Sequence, residues 1–241
     1  ILERIVDNVE NVIIGKRETV ELVVISLACN GHVLIEDIPG VGKTSLVSAL
    51  AKSINASFKR IQFTPDILPS DITGFTMFNQ KTREFEYRHG SIMSQIILAD
   101  EINRTSPKTQ ASLLEVMEEN QVTVDGTTYK VPKPFMVLAT QNPIEYLGTY
   151  PLPEAQLDRF LMKISIGYPK NEDESRILAN LQYENPLNNL SFVADSSDII
   201  WVQEEIKKIH LDESLRNYIV AIVEKTRNHP DVVIGSSIRG S

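Results

Sequence analysis

The stretch Val33–Leu46, reading V-L-I-E-D-I-P-G-V-G-K-T-S-L, limits the possible folds more than any other part of the chain. It opens on a short apolar run, Val33-Leu34-Ile35, of the kind that makes a buried parallel strand. It turns through Pro39-Gly40-Val41-Gly42 and enters a helical pattern at Lys43. Strand, glycine loop and helix in that order are the setting in which a phosphate-binding loop works. Gly40 and Gly42 let the backbone curl so that its N–H groups approach a polyphosphate, and the helix N-terminus adds partial positive charge. The candidate binding loop is Asp37, Ile38, Pro39, Gly40, Val41, Gly42, Lys43, Thr44 and Ser45. In it Lys43 would reach the β- and γ-phosphates and Thr44 would offer its hydroxyl to Mg²⁺. The spacing G-x-x-x-x-G-K-[ST] has Asp37 in place of its first glycine. Asp tolerates positive φ better than most residues, so the turn is expected to survive there.

A second signal is Ile96-Ile97-Leu98-Ala99-Asp100-Glu101. Four apolar residues followed by two acids put carboxylates at the C-terminal edge of a buried strand, where open α/β sheets bind ligands. Asp100 is the candidate Mg²⁺ ligand, and Glu101 the candidate base that polarises the attacking water. Asn142 ends the next predicted strand, 135–139, and its neutral amide can orient a water without adding charge. Arg159 and Arg239 are candidate guanidiniums for transferred-phosphate charge, Arg159 from a neighbouring subunit and Arg239 from a lid. The four histidines lie far apart and lack ligand spacing; His32, at the strand entrance, reads as packing.

Further elements follow from periodicity. Helices are expected over 2–9, 16–30, 43–53, 107–120, 153–160, 171–182, 199–209 and 212–227, and strands over 33–35, 57–63, 96–99, 135–139 and 161–166. Phe75–Arg88 alternates around a polar turn and Gln121–Val131 carries Asp-Gly at its centre, so both read as hairpins. After Tyr168-Pro169 the strand patterns stop. The reading is an α/β unit over 1–169 and a small helical lid over 170–241, with Leu215, Ile219, Ile222 and Val223 making an apolar helical stripe. The first residue is Ile1 and the last lies in a Gly-Ser-rich stretch, so the chain is expected to be part of something longer, with the lid partial.

Composition narrows the partners. A net charge of −8 and a pI near 5.1 repel nucleic acid at long range and argue against it as a partner. The single cysteine, Cys29, is expected to be a small buried hydrophobe in a reducing, cytoplasmic setting. No run of residues is long and apolar enough for a membrane span.

These segments together resemble the MoxR family of AAA+ ATPases. The resemblance rests on E-D-I-P-G-V-G-K-T (36–44), L-A-D-E-I-N-R (98–104), P-K-T-Q-A-S-L-L-E-V-M-E-E (107–119), A-T-Q-N-P (139–143) and L-P-E-A-Q-L-D-R-F (152–160), and runs from about Val12 to Arg239. It implies a three-layer αβα domain with a parallel five-stranded sheet and a helical lid. Lys43 and Thr44 then fall in Walker A, Asp100 and Glu101 in Walker B, Asn142 at sensor 1, Arg159 at the arginine finger and Arg239 at sensor 2. Phe75–Arg88 would be the helix-2 insert and Gln121–Val131 the hairpin before sensor 1. The family implies ATP and Mg²⁺, a homo-hexameric ring, and chaperone-like remodelling of a protein client, often beside a partner carrying a von Willebrand factor A domain. A magnesium-chelatase-like motor subunit, a nucleic-acid remodeller and a nucleotide-gated scaffold stand as the other expectations.

Overall fold

The computed structural model describes residues 1–143, 148–183 and 185–240. The chain begins with α1 (Leu2–Glu10), α2 (Arg17–Ala28), β1 (Val33–Glu36), α3 (Lys43–Ser53) and β2 (Phe58–Gln62). A short α4 (Pro69–Thr73) leads into the hairpin β3 (Gly74–Asn79) and β4 (Glu84–His89), followed by β5 (Ile96–Asp100) and α5 (Pro107–Glu119). A second hairpin, β6 (Gln121–Val124) and β7 (Thr127–Lys130), precedes β8 (Met136–Gln141), α6 (Glu154–Leu157) and β9 (Met162–Ile164). The remainder is helical: α7 (Asn171–Tyr183), α8 (Pro186–Asn189), α9 (Ser196–Ile206) and α10 (Glu213–Asn228).

Five strands form one parallel sheet in the order β2-β5-β8-β1-β9. The central strand's Met136–Thr140 and the neighbouring Ile96–Asp100 are buried throughout, as strands covered on both faces must be. Strand alternation divides the core. Val33, Ile35, Leu98, Leu138 and Ile164 face α1, α2, α3 and α9. Leu34, Ile97, Ala99, Val137 and Ala139 face the other way, onto Leu113, Leu114 and Met117 of α5. Fully burying one such side chain contributes roughly 1.5–3 kcal/mol, so these two layers dominate the stability of the unit. The same alternation puts Asp100 on the α3 face: Gln62 pairs with Asp100 across β2 and β5.

All described strands lie before residue 169, as the periodicity predicts. The helical segment is not detached from them. Leu190, Ala194 and Ile199 enter the same core cluster as α1 to α3, and Gln203 donates to the Leu27 carbonyl at 2.7 Å. Of the apolar stripe on α10, Val223 is buried while Leu215 and Ile222 are exposed. Cys29 also departs from expectation. It caps the C-terminus of α2 one residue beyond the buried Ala28, and is exposed.

The β3–β4 hairpin is stitched to α4 at its root. Ser91 and Ile92 N–H groups donate to the Asp71 and Ile72 carbonyls, each at 3.1 Å. Gly74 (φ +91°) and Gly90 allow this approach, since a Cβ on Gly90 would fall on the Ile72 carbonyl and one on Gly74 on the Arg88 carbonyl. Tyr87 of this hairpin stacks on Tyr129 of the next, with ring centroids 4.0 Å apart. At the tip Phe78 and Phe85 meet edge to face at 5.3 Å, and Phe85 is 75% exposed.

Candidate functional site

Asp37–Ser45 joins the C-terminal end of β1 to α3. Gly40 (φ +88°) and Gly42 (φ +90°) both take the left-handed backbone that a side chain resists. Asp37 does not, which corrects the sequence-based reason for its presence. Its carboxylate instead accepts the N–H groups of Ile38 (3.0 Å), Ile166 (2.6 Å) and Gly167 (2.7 Å) and the Ser165 hydroxyl (3.1 Å). Burial works against the charge, but the Gly167 and Ile166 amides with Ser165 outweigh it and hold the carboxyl below its usual pKa. Asp37 therefore pins the start of the loop to the chain leaving β9. The Lys43 ammonium donates to the Asp37 and Ile38 carbonyls at 2.7 and 3.1 Å. Burial lowers its pKa, while Asp37, Asp100 and Glu101 act in the opposite sense.

Across the cavity stand the two carboxylates that end β5. Asp100 is buried; its Oδ1 accepts the Thr140 hydroxyl at 2.6 Å, and its Oδ2 accepts Arg60 Nε at 3.1 Å and Nη2 at 2.6 Å. Glu101 sits at φ 57°, ψ 48°, a left-handed conformation that costs an L-residue roughly 1–2 kcal/mol. The Glu101 N–H donates to Thr140 Oγ1 at 2.9 Å, which secures that turn. Glu101 Oε2 accepts Gln62 Nε2 at 2.7 Å and Arg104 Nη1 at 3.0 Å. The loop (Gly40, Gly42, Lys43, Thr44, Ser45), both carboxylates and Asn142 line one cavity of about 390 Å³. A second cavity of about 430 Å³ shares Gly40, Gly42 and Ser45 with it and is walled by Ile13, Ile14, Val41, Ile166 and Tyr168. Together they offer a polar cleft for phosphates beside an apolar one for a flat ring.

Among the described residues no group of three His, Cys, Asp or Glu side chains could by itself hold a metal ion. Mg²⁺ keeps several waters and takes one or two protein oxygens together with substrate phosphates, so it needs no such group. Asp100 and Thr44, on opposite sides of the cleft, are the residues that fit it.

Arg159 and Arg239 are not in this cavity. Arg159 Nη2 pairs with Glu118 Oε2 at 3.0 Å, and Arg239 pairs with the other oxygen of Glu118 and lies 3.9 Å from Asp158 Oδ2. They line a separate cavity with Gly31 and His32, at the entrance to β1. The loop lies beyond the other end of that strand, and four residues of strand span about 13 Å. Ser237 Oγ donates to Asp158 Oδ1 at 2.6 Å, which ties the tail to the C-terminal cap of α6, while Arg239 itself reaches Glu118 of α5.

Sequence reasoning missed Arg60, Gln62, Thr140 and the apolar cavity. Arg60 and Gln62 lie two apart on an edge strand whose alternation marked them only as polar; their orientation toward Asp100 depends on the β2–β5 register. His32 is packing chemistry: Nδ1 accepts the Val137 N–H and Nε2 donates to the Met117 carbonyl, each at 3.0 Å, so the ring is neutral. Burial drops its pKa to about 4.

The chain is similar to known proteins. Residues 32–162 match the family described as the ATPase family associated with various cellular activities (AAA). The uncharacterized protein YeaC of Bacillus subtilis is 56% identical over the full length of this chain, which covers 75% of that protein. The chaperone MoxR1 of Mycobacterium tuberculosis is 42% identical over 94% of this chain, which spans 59% of it. A crystal structure of a candidate ATPase from Cytophaga hutchinsonii superposes with a TM-score of 0.90 at 41% identity, covering 98% of this chain and 74% of that one.

Proposed function

Because this chain belongs to the MoxR family of AAA+ ATPases, we propose that it binds ATP with Mg²⁺, hydrolyses it, and uses the cycle to remodel a protein client. One observation carries the reading: Lys43, the glycine loop, Asp100, Glu101 and Asn142 converge on a single cavity. The loop amides and Lys43 hold the phosphates, and the apolar cavity by Ile13, Ile14 and Tyr168 takes the base. Mg²⁺, when bound, draws negative charge from the β- and γ-phosphates. Thr44 and Asp100 hold that ion. Glu101 accepts a proton from the attacking water, which Asn142 orients.

In this proposal Arg159 and Arg239 act on a neighbouring subunit's phosphates, since their own chain keeps them a strand's length from its own loop. That arrangement calls for a ring, and a homo-hexamer is the assembly we propose. Residues 1–169 carry the nucleotide, and 170–241 form the lid. The exposed Phe75, Phe78 and Phe85 on the β3–β4 hairpin are the surface we assign to the client, which a von Willebrand factor A partner would present. The chaperone name of the 42%-identical relative supports the remodelling role. No helix among the described residues is long and apolar enough to cross a membrane.

The test is phosphate release from ATP by this chain, with Mg²⁺ and with EDTA, over a range of protein concentrations. Mg²⁺-dependent turnover whose rate per subunit rises with concentration is expected. Absent turnover together with absent nucleotide binding would end the proposal.

A further inference from the structure

The cleft contains a cation that the proposed chemistry leaves without a task. Arg60 reaches from the edge strand β2 and places two prongs of its guanidinium, Nε and Nη2, on one oxygen of Asp100. The other oxygen is taken by the Thr140 hydroxyl inside the core. Oδ2 is therefore the oxygen through which Asp100 meets the cleft, and Arg60 stands on it. A carboxylate as buried as Asp100 is costly without a counter-charge, so the pairing stabilises the acid as it stands. The guanidinium end is less confined. Its side chain is 48% exposed against 12% for Asp100, and it lines the same cavity as the loop. It can leave the carboxylate for water without being buried unpaired.

We infer that Arg60 is a positioning residue that serves as the counter-ion of Asp100 until a hydrated divalent cation takes over Oδ2, and so sets how strongly nucleotide affinity depends on Mg²⁺. The inference rests on the nucleotide reading of the cleft and deepens it. Both cations compete for one oxygen. With Arg60 in place, the carboxylate is already neutralised before Mg²⁺ arrives, so nucleotide can enter without the metal and gains less from it. With a neutral side chain at 60, an uncompensated acid faces the phosphates until Mg²⁺ comes. Affinity without the metal then falls, and the gain on adding it rises. Arg, whose planar guanidinium sets both Nε and Nη2 on that one oxygen, suits this task better than Lys, a single point charge.

The experiment is titration of a fluorescent, non-hydrolysable ATP analogue into the full chain, in EDTA and over a series of Mg²⁺ concentrations, for the wild type, Arg60→Gln and Arg60→Lys. The readout is the ratio of dissociation constants without and with Mg²⁺. In Arg60→Gln this ratio is expected to grow roughly three- to tenfold and the half-saturating Mg²⁺ concentration to fall. Arg60→Lys, which keeps the charge and loses the fork, is expected between the two, and carries the test if Arg60→Gln fails to fold by thermal melt. An unchanged ratio overturns the inference. If that unchanged ratio comes with an equal loss of affinity in both conditions, Arg60 is a direct phosphate ligand instead. If the wild type binds no analogue at all, it is the nucleotide reading that fails instead.

Discussion

The two ends of β1 carry charged clusters built on opposite plans. Beyond its C-terminal end, residues of four regions line one cleft: the loop with the first turn of α3, β2, β5 with the Glu101 that follows it, and β8 with the Asn142 that follows it. Each contributor follows directly from a strand's C-terminal end or occupies an edge strand, so sheet order alone brings them together. Before its N-terminal end, Arg159 and Arg239 share Glu118, a residue near the C-terminus of α5. There the cations are matched by their own chain's acids, Glu118 and Asp158. The contrast teaches that one subunit carries a receptor for phosphate and, a strand's length away, the cations proposed to complete another subunit's receptor.

The strongest way to break this contrast is to remove each side separately. Arg159→Ala is expected to lower turnover by about 10³–10⁵, the range for a guanidinium acting on transferred phosphate, and to leave analogue binding unchanged. Glu101→Gln is expected to lower it by about 10²–10⁴ with binding retained. Mixing the two variants, each inactive alone, should restore part of the phosphate release if the arginines serve a neighbour. Full activity in Arg159→Ala would reduce the Glu118 cluster to a structural ion pair.

A smaller effect sharpens the arginine side. His32 ties β1 and β8 to the carbonyl of Met117, next to Glu118. Burial holds it neutral down to about pH 4. The unfolded chain takes up the proton near pH 6.5, so stability is whole above that value and declines as pH falls toward the folded pKa. The loss reaches about 3 kcal/mol. Gln at 32 can accept and donate in the same places without titrating. Denaturation at pH 7 and pH 4.5 should therefore show a pH penalty about 2–3 kcal/mol smaller in His32→Gln than in the wild type. Equal penalties would locate the acid sensitivity elsewhere.

The smallest effect lies on the phosphate side. Asp37→Ala removes the acceptor of three amides and a hydroxyl and is expected to cost about 1–3 kcal/mol at pH 7, or several degrees in Tm. A depressed carboxylate pKa stabilises above the unfolded value, about 3.9, and the contribution fades as pH falls through the folded one. The gap between wild type and variant should accordingly narrow in acid. A pH-independent gap would mean that Asp37 acts through packing.

The cleft side of this contrast was legible because its chemistry is local. Lys43–Ser53 is helical over the residues that periodicity marked, and Asp100 and Glu101 end a wholly buried strand as the apolar run before them implies. What was not legible depends on register or on distant returns of the chain. Arg60 reaches Asp100 because β2 pairs with β5 at one setting; a one-residue slip would turn it to the other face. Arg239 meets Glu118 across 121 positions of sequence, a separation that no local pattern encodes. The sequence suggests positive φ as the reason for Asp37, whereas its carboxylate, bonded to a distant return of the chain, is what the structure uses.

The glycine-floored root of the β3–β4 hairpin has a mechanical corollary. With main chain against main chain at Gly74 and Gly90, and with Tyr87 lying flat on Tyr129, neither arm has a soft pivot of its own. The hairpin root is hydrogen-bonded to α4, and α4 in turn packs on α5, where Thr109 donates to the Ile67 carbonyl at 3.0 Å. The aromatic tip at Phe85 is therefore linked to α5 through an unbroken run of contacts: hairpin root to α4, and α4 to α5.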